Sequence, residues 1–236
     1  MSARDRKFFQ QGINMYVKAM QYSADMVGLE PQAFTLGTPA LASPTKYAAA
    51  LALNGLAASI VALPTVGIAD SPYGRTITYT PSAVPGNNNV VEILGQDYLG
   101  QPMLERITGA AAASALIAGK KAFYRVISMR IVTPSTNAVT ASIGAGAGLG
   151  LPYKGLIAFA HEAGALVLPA AIVSPSVFTQ PDLTDPATFG TGDPRGTYQS
   201  IMAMDGVSRI DVEMFGDSAV NAAGNGGFHG IQHFYS

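Results

Sequence analysis

Chemistry in this chain would have to come from a small set of residues. His229 and His233 carry the four-residue spacing of helical zinc ligands, but Gly226, Gly227 and Gly230 argue against a helix there. On an extended strand, residues four apart share a face but lie roughly 13 Å apart, too far for one metal ion. No glutamate general base lies between them, and with His161 they read as surface or interface histidines. Gly144, Gly146, Gly148 and Gly150 follow a G-x-G-x-G-x-G register, whereas a dinucleotide turn needs G-x-G-x-x-G opening a helix. Leu151-Pro152-Tyr153 blocks such a helix, so these glycines read as a strand end packed closely against other backbone. Gly119-Lys120-Lys121 lacks the upstream glycine and the hydroxyl of a phosphate loop.

Nucleophilic and acid–base sites are equally sparse. No G-x-S-x-G elbow occurs, and Gly216-Asp217-Ser218 reads as a turn. Asp193-Pro194-Arg195-Gly196 reads as a turn whose Asp and Arg pair locally. Glu105 and Arg106 are adjacent, so on a strand they face opposite sides. A paired-carboxylate site would have to be assembled from distant segments. Lys120, Lys121, Phe123, Tyr124 and Arg125 suggest base stacking, yet read better as a solvated turn leading into a core strand. With no cysteine, disulfides and thiolate sites are excluded. The expectation is a non-enzyme with no catalytic residue, no cofactor and no metal.

The elements that would hold these residues are mainly strands. Ile77 and Tyr79 alternate with Thr76, Thr78 and Thr80, and Val139, Ala141 and Ile143 with Thr140 and Ser142. Phe123 to Val132 reads as a short buried strand, and Ile210, Val212 and Met214 alternate with Arg209, Asp211 and Glu213. Turn clusters separate them at Pro85 to Asn89, Gly100-Gln101-Pro102, Pro134 to Asn137, Gly190 to Gly196 and Asp205-Gly206. The fold class is therefore mainly β, a β-sandwich or barrel with a jelly-roll as one form, carrying an N-terminal helical or extended arm. Phe8, Phe9, Ile13, Tyr16, Val17 and Met20 recur at spacings of three and four, which predicts one helical face, or an extended arm that folds against a neighbour. Residues 1–45 are expected to be arm and linker, and 46–236 the β-rich domain. The Ala-rich 110–118 stretch fits a short helix or a loop.

Composition limits the partners. Lys and Arg total 14 against 15 Asp and Glu, a net charge of -1, which builds no field for nucleic acid. Only 12% of residues are charged, 48% are hydrophobic, and the mean hydropathy is +0.25. The usual charged share is about 25%, so much of the surface is expected to meet other chains. The uncharged stretch between Lys46 and Asp70 is long enough for a membrane span. Asn54, Gly55, Pro64 and Gly67 interrupt it, and alanine adds little insertion energy, so no membrane is expected. No cleavable secretion signal is read at the start.

A set of ordered motifs resembles small structural proteins of tailed bacteriophages. They are Asp70-Ser-Pro-Tyr-Gly-Arg75, then Gly95-Gln-Asp97-Tyr-Leu-Gly100-Gln-Pro-Met-Leu-Glu105, Gly119-Lys-Lys-Ala-Phe123, Gly150-Leu-Pro152-Tyr153 and Asp193-Pro-Arg-Gly-Thr-Tyr198. The resemblance spans about half of the chain, residues 48–153, with the 193–198 motif trailing it. It implies a virion role: a capsid decoration or cement protein on the head lattice, with the major capsid protein and copies of itself as partners. A homo-oligomer is expected, with a trimer as its size. Phe8, Phe9, Tyr16 and Met20 are the expected partner contacts, because they lie outside the β pattern. The alternatives are a major capsid or tail-tube subunit and, from another class, a hydrolase or carbohydrate-binding module. Against a sugar platform stand 8% aromatic residues and no tryptophan.

Overall fold

The structure is a computed structural model that describes residues 31–54, 60–109, 115–167, 169–172, 174, 176–182, 184 and 188–216. Among them the chain is mainly β, with curled antiparallel sheets in a sandwich-like or barrel-like arrangement. Sheet I is ordered β1 (Gln32–Gly37), β14 (Ile210–Gly216), β10 (Gly155–Glu162), β11 (Ala165–Val167). Sheet II is ordered β12 (Phe178–Thr179), β13 (Thr197–Gln199), β9 (Thr140–Gly150), β4 (Arg75–Pro81), β7 (Ile117–Phe123), with β2 (Ser43–Ala52) also on β9. Sheet III is ordered β3 (Ile60–Ile68), β8 (Arg125–Thr133), β5 (Val90–Gln96), β6 (Pro102–Thr108). A single helical turn, α1 (Pro169–Ile172), follows β11.

Two apolar cores share β9. Ile77, Tyr79, Ile93, Met129, Ala141 and Ile143 fill the space between sheets II and III. Leu149, Leu151, Ile157, Tyr198, Val212 and Met214 fill a second core under sheet I. The alternation read at 210–214 holds: Ile210, Val212 and Met214 are buried while Asp211 and Glu213 are half-exposed. β4 departs from its pattern, because Thr76 and Thr78 are buried along with Ile77 and Tyr79. It pairs with β9 and β7 on its two edges in sheet II, and the side chain of Thr76 packs against Gly146 and Gly148 of β9.

Most of the run expected as one strand from Phe123 to Val132 is a single strand, β8 from Arg125, while Phe123 ends β7. The chain changes sheets at Tyr124, whose N–H donates to the Gln96 carbonyl at 2.9 Å and whose carbonyl accepts from Ala69 N at 2.8 Å. The glycines of β9 do what their spacing suggested. A Cβ at Gly144 would overlap the Ser43 and Pro44 backbone, and one at Gly150 would overlap the Tyr73 carbonyl. Of the segment read as arm and linker, residues 32–37 form β1 against β14, and β2 begins at Ser43. The uncharged stretch 46–70 contributes β2 and β3, and no described helix is long and apolar enough to cross a membrane. Of the Ala-rich stretch, 110–114 lie outside the described residues and Ile117 opens β7.

Candidate functional site

The motifs scattered along the sequence meet in a buried polar seam. The tight turn between β5 and β6 is built by Asp97, whose Oδ1 accepts Leu99 N at 2.9 Å and Gln101 N at 2.8 Å. Gly100 takes a φ of 79° there, which a side chain would resist. Gly95 serves close packing instead: a Cβ there would overlap the Arg125 carbonyl and the Phe123 ring. The other oxygen of Asp97 pairs with Arg195 Nη1 at 3.2 Å, and both side chains are fully buried. Asp193 caps its own turn through Arg195 N at 2.9 Å and reaches β7 through Ala122 N at 3.0 Å. The local Asp–Arg pair read from Asp193-Pro194-Arg195 is therefore present, but it extends to Asp97 across 98 residues of chain.

Glu105 and Lys121 form the next part of the seam. Lys121 lies in β7 and is fully buried, so the solvated turn expected at Lys120-Lys121 is strand instead, with Lys120 exposed and Lys121 in the core. Its Nζ donates to the carbonyls of Leu104 at 3.0 Å and Thr188 at 3.1 Å. Glu105 accepts the N–H groups of Lys120 and Lys121. Burial pushes its carboxyl up to about 7 against those hydrogen bonds, and burial likewise lowers the Lys121 ammonium. Arg106 faces the other way, as adjacency requires, and binds Glu92 at 2.8 Å. Glu92 also holds Arg130. The 188–190 loop is fastened by three successive carbonyls, taken by Lys121 Nζ, Arg106 N and Lys120 Nζ. The Arg106 guanidinium stacks 3.7 Å from the centre of the Phe189 ring.

Aromatic rings link this seam to sheet I. Arg195 sits 4.9 Å from the Tyr98 ring centre, Tyr98 meets Tyr73 edge-on at 5.1 Å, and Phe34 meets Tyr153 at 5.1 Å and Tyr73 at 6.4 Å. The hydroxyls of Tyr98 and Tyr153 donate to the carbonyls of Pro152 and Met214. Asp70 and Arg75 pair at 2.9 Å, and Arg75 also donates to Ala40 O at 2.9 Å and to Gly146 O. Desolvation would raise the Asp70 carboxyl, but the hydrogen bond and charge of Arg75, helped by Lys46, hold it below its usual range. In the second core, Glu162 accepts Tyr198 Oη at 2.7 Å, Ile201 N at 3.0 Å and Met202 N at 2.8 Å. Burial and that carboxylate raise the Tyr198 hydroxyl strongly.

Of the buried carboxylates in the described residues, Asp97, Glu105, Glu162 and Asp193 each have two or more donors from their own chain, and Glu92 is paired with two arginines. Such groups tie segments together, because their lone pairs are already directed at backbone and cations. Among the described residues no group of three His, Asp or Glu is placed to hold a metal ion. His161 is half-exposed on β10, whereas His229, His233 and Ser218 lie outside the described residues.

The opposite pattern marks one end of the molecule. Leu41, Leu166, Ile201, Met202 and Val207 are all exposed, Val207 to 79%. Three loops bring them together: Gly206 N donates to Pro39 O at 3.1 Å, Ala163 N to Arg209 O at 3.0 Å, and Glu162 holds the Ile201 and Met202 amides. Sequence reasoning missed this end; its trace was the apolar Ile201-Met202-Ala203-Met204 run between turns. The expected contact residues Phe8, Phe9, Tyr16 and Met20 lie outside the described residues. Comparisons with protein families, curated proteins and solved structures returned no match.

Proposed function

We propose that this chain is a non-enzymatic structural protein of a tailed-phage virion, a decoration or cement protein that binds and stabilises the head lattice. Its partners in this reading are the major capsid protein and copies of itself, assembled as a trimer. The observation that carries the assembly role is the inverted distribution of side chains. Scarce charges are spent inside on frame-forming bonds, while large apolar residues stand exposed, five of them at one end. An exposed apolar cluster on a chain with 12% charged residues is what an interface surface looks like before its partner is added. The virion assignment is supported by the ordered motifs, whose residues converge on one seam.

Electron cryo-microscopy of the native particle tests this. Density for the chain outside the head lattice is the expected result; density in the tail, or forming the shell itself, would replace the role but keep the class. Absence from the particle would end the virion reading. Deleting residues 1–28 is expected to leave the fold intact and abolish binding to heads, and retained full affinity would sink the role of Phe8, Phe9, Tyr16 and Met20.

A further inference from the structure

The exposed apolar end and the start of the described chain lie at opposite ends of sheet I. Gln32 pairs with Met214, and Gly37 pairs with Ile210, which in turn lies opposite Glu162 beside the exposed cluster. The intervening length of β14, from Ile210 to Met214, is roughly 13 Å at strand rise. The chain runs through β1 toward the cluster, so the root of the N-terminal segment at Gln32 lies at the end of sheet I away from the cluster on its own copy. On a second copy placed head to tail, that root comes next to the cluster.

Residues 1–30 match the cluster in apolar character. Phe8, Phe9, Ile13, Tyr16, Val17 and Met20 are large and apolar, and Arg4, Arg6 and Lys7, with Asp5 among them, leave a net positive charge before the two phenylalanines. At the cluster, the Asp205 carboxylate bonds Val207 N at 2.8 Å and Ser208 N at 2.6 Å, with no cation on it among the described residues. Those amides hold its carboxyl down to about 2, so it is negative at any working pH. From Met20 to Gln32 the chain can extend about 40 Å, which is ample to cross between neighbours.

We propose that the end formed by Leu41, Leu166, Ile201, Met202 and Val207 is the docking site for the N-terminal segment of a second copy. Phe8 and Phe9 seat among the exposed apolar side chains, and the basic residues before them face Asp205. This rests on the assembly reading above and deepens it. A root at one end and a dock at the other make a heterologous contact, which closes into a ring when the rotation allows it and so fits a trimer.

Two full-length variants test it: one carrying Phe8→Asp and Phe9→Asp, the other Ile201→Asp and Val207→Asp. Light scattering on the eluting protein is expected to give an oligomer for the wild type and a monomer for each variant alone. Mixed in equal amounts, the two variants are expected to form a one-to-one complex, since one keeps the segment and the other keeps the dock. A misfolded variant would not complement, so a complex also certifies both folds. A wild type that stays monomeric, an oligomer surviving in either variant, or a mixture that stays as two monomers overturns the proposal. Oligomers that form yet do not bind heads would sink the virion reading alone, and heads decorated by monomers would sink this proposal alone.

Discussion

The seam around Asp97, Arg195 and Glu105 and the loop end around Val207 reverse the usual placement of polar and apolar groups. At the seam, Arg195, Lys121, Asp97 and Glu105 are buried, yet every carboxylate has donors and both cations have acceptors. At the loop end, leucine, isoleucine, methionine and valine side chains face solvent while backbone hydrogen bonds beneath them are made. The contrast separates two kinds of unusual residue. A buried charge with all its partners in the same chain holds that chain's own segments in register. An exposed apolar cluster on a well-bonded frame has its partner in another chain.

Removing one member of the seam gives the largest expected effect. Arg195→Met leaves Asp97 and Asp193 buried without their cation and also strips the Tyr98 ring of its guanidinium. Breaking a buried pair in this way costs about 3–5 kcal/mol, to be read as a fall in the urea midpoint. A loss under about 0.5 kcal/mol, the range of ordinary surface changes, would mean that water reaches the seam and that the comparison is drawn in the wrong place.

Glu105 sharpens the same comparison through pH. Its carboxyl lies at about 7 in the fold against an ordinary 4.5, so its favourable contribution is complete below 4.5 and is lost as pH rises through 7. The difference corresponds to about 3 kcal/mol. Glu105→Gln removes the titration, so the fall in stability between pH 4.5 and 7 is expected to flatten, leaving the smaller share of half-buried Glu213, which is also raised by burial. Asp70 acts in the opposite sense: held low, it supports the fold above 3.8 and is lost as pH falls. Denaturation midpoints across pH 4 to 8 decide this; an unchanged slope in Glu105→Gln would assign the titration elsewhere.

The strands were legible because their signal is local. Period-two alternation at 210–214 and the glycines of β9 need only a sheet face and a close backbone to explain them. The seam was legible only in pieces. The Asp193–Arg195 pair is two residues apart and could be read, whereas its link to Asp97 depends on β9 and β13 bringing distant turns together. Lys121 misled for a related reason: a lysine in sequence reads as solvated, and only the carbonyls of Leu104 and Thr188, supplied by other segments, make its burial affordable in free energy. The exposed end left almost no trace, because Leu41, Leu166 and Val207 are far apart in sequence and their loops are joined by hydrogen bonds between distant segments.

The smallest expected effect on stability falls at that end. Val207 is 79% exposed in the turn after Asp205, and its amide, not its side chain, makes the local hydrogen bond. Val207→Asp on its own therefore removes almost no buried apolar surface and leaves no polar group unsatisfied. Its effect on the unfolding of the isolated chain should stay within about 0.5 kcal/mol. If the same substitution lowers the urea midpoint strongly in dilute protein, where chains are apart, Val207 is packed within its own chain. The loop end would then be core like the seam, and the distinction between the two regions would fail. If the midpoint moves only at concentrations where chains associate, the loss is one of linkage to assembly. The apolar end is then a surface that another chain completes.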